Sequence, residues 1–414
     1  MGVPDVTEKH PRENHPIGNP QAKYIYQREG RFSAQVPGGF EELAAEELTA
    51  LGAQDVTPEL RVVHFCSDLA GLYRINYCAR LIVRVLAPLV SFPCNDRTDL
   101  YRQGRSIDWE EFFSVDQTFA IMANASGNPN IRHPNFAALC LKDAVADHFR
   151  DRFGRRPDVN SSEPDLWLNV HVLNKRCTIS LDTSGSSLHR RGYRAVTVTA
   201  PMQETLAAAM IKLSGWNGER PLYDPMCGSG TLLCEALMHY CRIPTGYLRP
   251  TYGFRRLPDF DTKLWKAVKK EADGAIRPLP HGLIAGSDIS AEAVAAAKAN
   301  CRMLPHGDNV RAMRQDFNTI DTLANRVILC NPPYGLRLGS EADLGAFYKS
   351  FGDFLKHRCA NSEAYLYFGN RELLKSIGLR PAWKKALKNA ELDGRVAKFT
   401  MWAFKPKSEP APDA

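Results

Sequence analysis

No stretch of the 414 residues is apolar enough, for long enough, to cross a membrane, and the opening MGVPDVTEKHPREN lacks the apolar core of a signal peptide. Met1-Gly2 is not a myristoylation start, because Val6 stands where Ser or Thr is needed. Eleven cysteines are present, an odd number, and none form a C-x-x-C pair. That excludes a disulfide framework and a zinc site from the expectations, and points to reduced thiols in a cytosolic protein that needs no metal. Internal repeats are absent as well. What remains is ordinary for a globular chain of two or three domains: 44% hydrophobic and 24% charged residues, with a net charge of +7 that mildly favours a polyanionic partner.

The polar start, residues 1–25, and the end, 407–414, read as disordered tails. From RFSAQVPGGFEELAAEELTALGA onward, a strand, a Gly-Gly turn and a helix follow each other, with Phe40, Leu43, Ala44 and Leu48 on one face. Strands at RVVHFCS, LIVRVLAPLVSF, DLWLNVHVLN and RCTISLDTSG, with helices between, give an α+β pattern of antiparallel character. Near residue 200 the pattern becomes strand–helix alternation, the mark of a doubly wound parallel sheet. Asp393-Gly394, between two strand-like runs near the end, reads as the turn of an antiparallel hairpin.

In LYDPMCGSGTLLCEALM a strand runs into a glycine turn and a helix. Gly228 and Gly230 allow a tight turn and close approach of a ligand to the helix N-terminus. Leu233 stands where a dinucleotide fold would have its third glycine, and no P-loop lysine follows. Alone, such a turn is an ordinary βα connection. Two later strands also end in acids: Asp288, suited to a ribose diol, and Asp316, suited to an adenine amino group. A nucleoside cofactor without a polyphosphate fits this set, and S-adenosylmethionine is such a molecule, with Asp224 facing its charged amino-acid end.

The fourth strand, RVILC, ends in Asn331-Pro332-Pro333-Tyr334-Gly335. The Asn331 amide oxygen and the Pro332 carbonyl are two acceptors, and the prolines remove competing N–H donors. Together they suit a planar NH₂ group gaining positive charge as it is alkylated, with Tyr334 as a flat face for a base. An isolated NPPY would read as a proline turn; after a glycine loop and two strand-end acids it reads as catalytic.

These motifs, DPMCGSGT followed by NPPYG, resemble the class I S-adenosylmethionine methyltransferases that modify amino or amide nitrogen. With GFEELAAEEL, SGSSLHRRGYR and PMQETLAAAMIKLSGW, the chain is similar to the THUMP-domain 23S rRNA guanine-N2 methyltransferases, matching the N-terminal half of the large bifunctional bacterial enzyme. The resemblance implies an α/β chain. A ferredoxin-like subdomain (26–95) and a THUMP RNA-binding domain (96–192) precede a Rossmann-like, seven-stranded methyltransferase domain (193–406). It implies Asp224, Gly228, Gly230, Asp288 and Asp316 at the cofactor, with Glu204 and Thr205 beside it, and Asn331, Pro332 and Tyr334 at the target guanine. RNA is the implied partner, either 23S rRNA or an assembly intermediate of the large ribosomal subunit. Arg150, Arg152, Arg155, Arg156, Arg190, Arg191 and Arg194 would meet phosphates and Tyr193 would stack on a base. Reaching a base in folded RNA implies flipping it out.

Two features depart from that family pattern. The chain stops at Ala414 without a second methyltransferase half, so one cofactor site and one modification are expected. A basic, aromatic insertion at about 242–281 has no role readable from its residues. Competing readings are an adenine-N6 or protein glutamine-N5 methyltransferase, a non-catalytic rRNA-binding assembly factor, and a dehydrogenase. The α+β N-terminal region counts against the adenine-N6 and glutamine-N5 methyltransferases, an assembly factor would not require an intact Asn331, and the missing third glycine counts against the dehydrogenase.

Overall fold

The computed structural model describes residues 18–196, 202–333, 341–389 and 392–402. Its first half is built on strands β1 (Arg31–Gln35), β2 (Gln54–Glu59), β3 (Val62–Cys66), β4 (Arg84–Pro93), β5 (Thr118–Ser126), β6 (Asp158–Val159), β7 (Leu166–Leu173) and β8 (Arg176–Asp182). They form one sheet in the order β2-β3-β1-β4-β8-β7-β5-β6. Strand β4 pairs antiparallel with β1 on one side and β8 on the other, so the two expected N-terminal subdomains share a continuous sheet. The pairing is not all antiparallel, because β5 runs parallel to both β6 and β7. Helices α1 (Ile25–Glu29), α2 (Glu41–Ala50), α3 (Leu69–Cys78), α4 (Arg97–Arg105) and α5 (Pro134–Phe153) accompany it. Helix α2 buries Phe40, Leu43, Ala44 and Leu48, the face its spacing predicts.

Residues 18–25 correct the expected N-terminal tail. Tyr24 and Tyr26 are buried, Asn19 N–H donates to the Gln27 carbonyl at 2.7 Å, and Lys23 pairs with Glu111 at 2.7 Å. Two aromatic rings per short segment bury enough apolar area to hold it on the module. Residues 1–17 and 407–414 lie outside the described residues.

The second half carries β9 (Leu222–Asp224), β10 (Ile284–Asp288), β11 (Arg311–Arg314), β12 (Val327–Cys330), β13 (Ser362–Phe368), β14 (Trp383–Asn389) and β15 (Leu392–Met401). They form a seven-stranded sheet in the order β11-β10-β9-β12-β13-β15-β14. Neighbours from β11 to β13 are parallel, whereas β15 is antiparallel to both β13 and β14. Its helices are α6 (Glu204–Ser214), α7 (Thr231–Cys241), α8 (Thr262–Gly274), α9 (Ala291–Arg302) and α10 (Glu341–Arg358). Leu222, Ile284 and Leu329 share a core with buried residues of α6, α7 and α9, while Tyr223, Ala285 and Ile328 share one with α10. Alternate residues of each strand thus face opposite layers, as a parallel sheet buried on both faces requires.

Asp393-Gly394 is not the hairpin turn. Asn389 pairs with Leu392, Lys388 with Asp393 and Leu387 with Gly394, so the dipeptide lies within β15. Glycine is needed there for space: a Cβ at Gly394 would sit 2.0 Å from the Tyr367 hydroxyl.

The insertion joins the two halves. Tyr252, Phe254, Phe260 and Trp265 pack on Tyr73 and Tyr77 of α3, with ring centroids 4.6 Å apart for Tyr73–Phe254 and 5.3 Å for Tyr77–Trp265. Tyr77 Oη donates to Asp273 at 2.6 Å and Thr245 Oγ1 donates to the Tyr77 and Ala79 carbonyls. Its aromatic residues form an interdomain wedge.

Candidate active site

Because β11, β10, β9 and β12 are adjacent and parallel, their C-terminal ends share one sheet edge. Asp224 ends β9, Asp288 ends β10, Asp316 follows β11 by two residues and Asn331 follows β12 directly. The chain reverses its direction of travel across the sheet between β9 and β12, and such a switch point opens a crevice at the strand ends.

The glycine turn is braced from beneath. Cys227 N–H donates to the Ser287 carbonyl at 2.9 Å, and Gly228 N–H donates to Asp288 Oδ2 at 2.9 Å. Gly228 (φ +52°) has open space where a Cβ would stand, whereas a Cβ at Gly230 (φ +81°) would meet Ala297 of α9 at 3.0 Å. One glycine keeps the crevice side free and the other lets α9 approach. No side chain caps α7 at Gly230, so its first N–H groups carry the helix's positive end uncapped.

Asp224 lies under this turn, 1% exposed, accepting Met226 N–H at 3.1 Å. Burial pushes its carboxyl up to about 8, against the Met226 hydrogen bond, and the Asp288 charge adds to the rise. It braces the loop more directly than it faces open space. Asp288 is half-buried; its second oxygen accepts Ser290 N–H at 3.0 Å, leaving each oxygen a further lone pair. Asp316 is also half-buried and caps the turn after β11 through Asn318 N–H at 2.9 Å.

At the end of β12, Pro332 is buried and Asn331 half-buried. Among the described residues the Asn331 Oδ1 is buried with no hydrogen-bond partner. An unmatched buried acceptor is unfavourable by about 1–3 kcal/mol, which a native chain tolerates where a ligand supplies the donor. Tyr348 of α10, fully buried, donates its hydroxyl to the Pro333 carbonyl at 3.1 Å and so holds the turn from behind. Tyr334 lies outside the described residues.

The arginine assignments need correction. Arg191 is fully buried, its Nε 3.2 Å from Glu235 of α7 and its Nη atoms donating to the Leu188 and Arg80 carbonyls at 2.6 Å. Tyr193 is buried too, its hydroxyl donating to the same Glu235 oxygen at 3.1 Å. Neither faces RNA. Arg194 is mostly buried, its Nε 2.6 Å from Glu204, which with Thr205 opens α6 in the interior. Arg150, Arg152, Arg155, Arg156 and Arg190 are exposed. Arg150 pairs with Asp147, Arg152 with Glu110 and Arg155 with Asp116. Asp108, Glu110 and His148 cluster closely enough to suggest a cation, but Lys23 and Arg152 already neutralise the two acids.

Two contributors escaped sequence reading. Tyr348 gives no local signal. Asn300, an amide on the buried face of the alanine-rich helix α9, is the kind of polar core residue that pattern alone can flag.

A parallel sheet of this order with such a crevice defines a class I, S-adenosylmethionine-dependent methyltransferase. The residues present fit that cofactor: an open glycine cradle and half-buried strand-end carboxylates, with no lysine for a polyphosphate. Comparison with known proteins narrows the class. Residues 191–398 match the family described as RMKL-like, methyltransferase domain, residues 94–182 the THUMP domain and residues 31–86 the RlmL ferredoxin-like domain. A Synechocystis sp. protein named as an RNA methyltransferase is 42% identical over 373 residues, covering 90% of this chain and 97% of that one. The ribosomal RNA large subunit methyltransferase K/L of Syntrophotalea carbinolica is 37% identical over 382 residues, 89% of this chain and 53% of that protein. The solved structure of SMU.472, named as a methyltransferase complexed with SAH, is similar with a TM-score of 0.79 and 25% identity, over 91% of this chain and 99% of that one. The chain belongs to the RMKL-like methyltransferase family, with a THUMP domain ahead of the catalytic one. It spans about half the length of the K/L relative.

Proposed function

We propose that the protein methylates the exocyclic N2 amine of a guanine in 23S rRNA, acting in the cytoplasm on the RNA or on an assembly intermediate of the large ribosomal subunit. The unpartnered Asn331 Oδ1 carries this reading. An NH₂ group can donate one hydrogen to that oxygen and the other to the Pro332 carbonyl, which holds its nitrogen in one orientation. Both acceptors gain strength as positive charge develops on the nitrogen. Tyr334 supplies the flat face that a flipped base needs.

Asp288 would hold the ribose hydroxyls of the cofactor and Asp316 its adenine, with Gly228 leaving room for its chain and Gly230 letting α9 close against the loop. Asp224, Glu204 and Thr205 would support that pocket from within. When bound, S-adenosylmethionine supplies a methyl group on a sulfonium, already activated for direct transfer. The THUMP domain, with Arg150, Arg152, Arg155, Arg156 and Arg190 exposed, would hold the RNA backbone.

Purified protein incubated with S-adenosylmethionine and unmodified 23S rRNA should yield N2-methylguanosine on nucleoside mass spectrometry. A 7-methylguanosine product would overturn the reading, since guanine N7 bears no hydrogen for the two carbonyls. Methylated adenine would instead favour the adenine-N6 alternative.

A further inference from the structure

We infer that Asn300 is a positioning residue for the cofactor loop and couples it to the segment arriving from the RNA-binding module. The inference rests on the reading of the glycine turn as the cofactor cradle. Asn300 is fully buried on α9. Its Nδ2 donates to the Ser229 carbonyl at 3.0 Å, in the turn itself, and to the Val196 carbonyl at 2.9 Å. Its Oδ1 accepts Val196 N–H at 3.0 Å. One amide therefore makes a two-bond pair with the incoming chain and a third bond to the loop, which satisfies both its donors and its oxygen.

The neighbourhood shows why this amide controls geometry. Ala297, one turn earlier on α9, is the atom group that forbids a side chain at Gly230. Helix α9 begins just after Asp288, whose carboxylate holds Gly228 N–H. Strand β10 thus holds the loop at Gly228 through Asp288, and helix α9, which follows it, fixes the loop at Gly230 by contact and at Ser229 through Asn300. Val196 lies five residues after Arg191, which the buried Glu235 ties to α7, the helix leaving the loop. Loss of the amide leaves the buried Ser229 carbonyl without its partner and releases the part-buried Val196 N–H and carbonyl.

Asn300→Ala and the isosteric Asn300→Asp, which turns both donor contacts into oxygen facing oxygen, test this by calorimetry with S-adenosylmethionine and by steady-state kinetics. Both should weaken cofactor binding and raise its KM by about tenfold or more, with kcat at saturating cofactor within about threefold of wild type. Cys301→Ala, at the next buried position of α9 and facing Cys234, should lower the melting temperature and leave cofactor affinity unchanged. In the wild type, the Val196 amide should be protected from hydrogen exchange, and more so with cofactor bound. Unprotected Val196, or Asn300 variants that bind cofactor normally while Asp288→Ala does not, overturns the inference. If Asp288→Ala and Gly230→Val also bind normally, the cradle reading itself fails.

Discussion

Gly228 and Asp288 are 60 residues apart in sequence and meet across neighbouring strand ends, the glycine N–H donating to the carboxylate at 2.9 Å. The bond ties the turn after β9 to the end of β10. A residue suited to grip a ribose therefore also shapes the loop beside it.

Asp288→Ala should weaken S-adenosylmethionine binding by on the order of 2–4 kcal/mol, roughly 30-fold to 1,000-fold, through loss of charge-assisted hydrogen bonds. Half-burial of the residue predicts that the domain stays folded. Calorimetry on a variant with an unchanged melting curve checks it, and undiminished affinity would remove Asp288 from the site.

Asn331→Ala should separate chemistry from binding. Cofactor affinity should hold while single-turnover rates fall by roughly a hundredfold or more. Because the Oδ1 is unpartnered without substrate, its removal should not lower the melting temperature. Near-normal turnover would show that the amide does not touch the amine.

Asp224 predicts a pH dependence. Its carboxyl is raised from 3.8 to about 8, so the folded, cofactor-free protein retains a proton there that the unfolded chain releases. This group's contribution to stability therefore declines as pH rises through that window, and the penalty is complete above about 8. Asp224→Asn should flatten the melting temperature against pH across the window and exceed wild type at its alkaline end. A parallel pair of curves would contradict the buried, protonated assignment.

Arg191 and Arg190 should behave oppositely although they are adjacent. Arg191→Ala strands Glu235 in the interior and should destabilise the fold by about 3–5 kcal/mol. Arg190→Ala and Arg156→Ala should leave stability alone. If these exposed cations meet phosphates, each should reduce the slope of log RNA affinity against log salt by about 1. Denaturant unfolding and salt titrations of RNA binding measure the two effects.

Much of the catalytic half was legible locally. Strand–helix alternation, a glycine turn and acids at strand ends are short-range patterns, and adjacency of parallel strands follows from their connection rules. The order of Asp224, Asp288, Asp316 and Asn331 along the chain thus already implied a common edge. Local pattern could not say which arginine of LHRRGYR turns inward. That depended on Glu235, 44 residues later, presenting a carboxylate on α7 where Arg191 passes. It also misread Asp393-Gly394, since the glycine answers to the Tyr367 ring on the adjacent strand β13 and not to a turn. The insertion's aromatic residues had no readable role until α3 supplied the rings they stack against. Periodicity reports only whether a position faces inward or outward; which partner waits there is set by packing between distant segments, and that alone divided the interior charges from those free to meet a ligand.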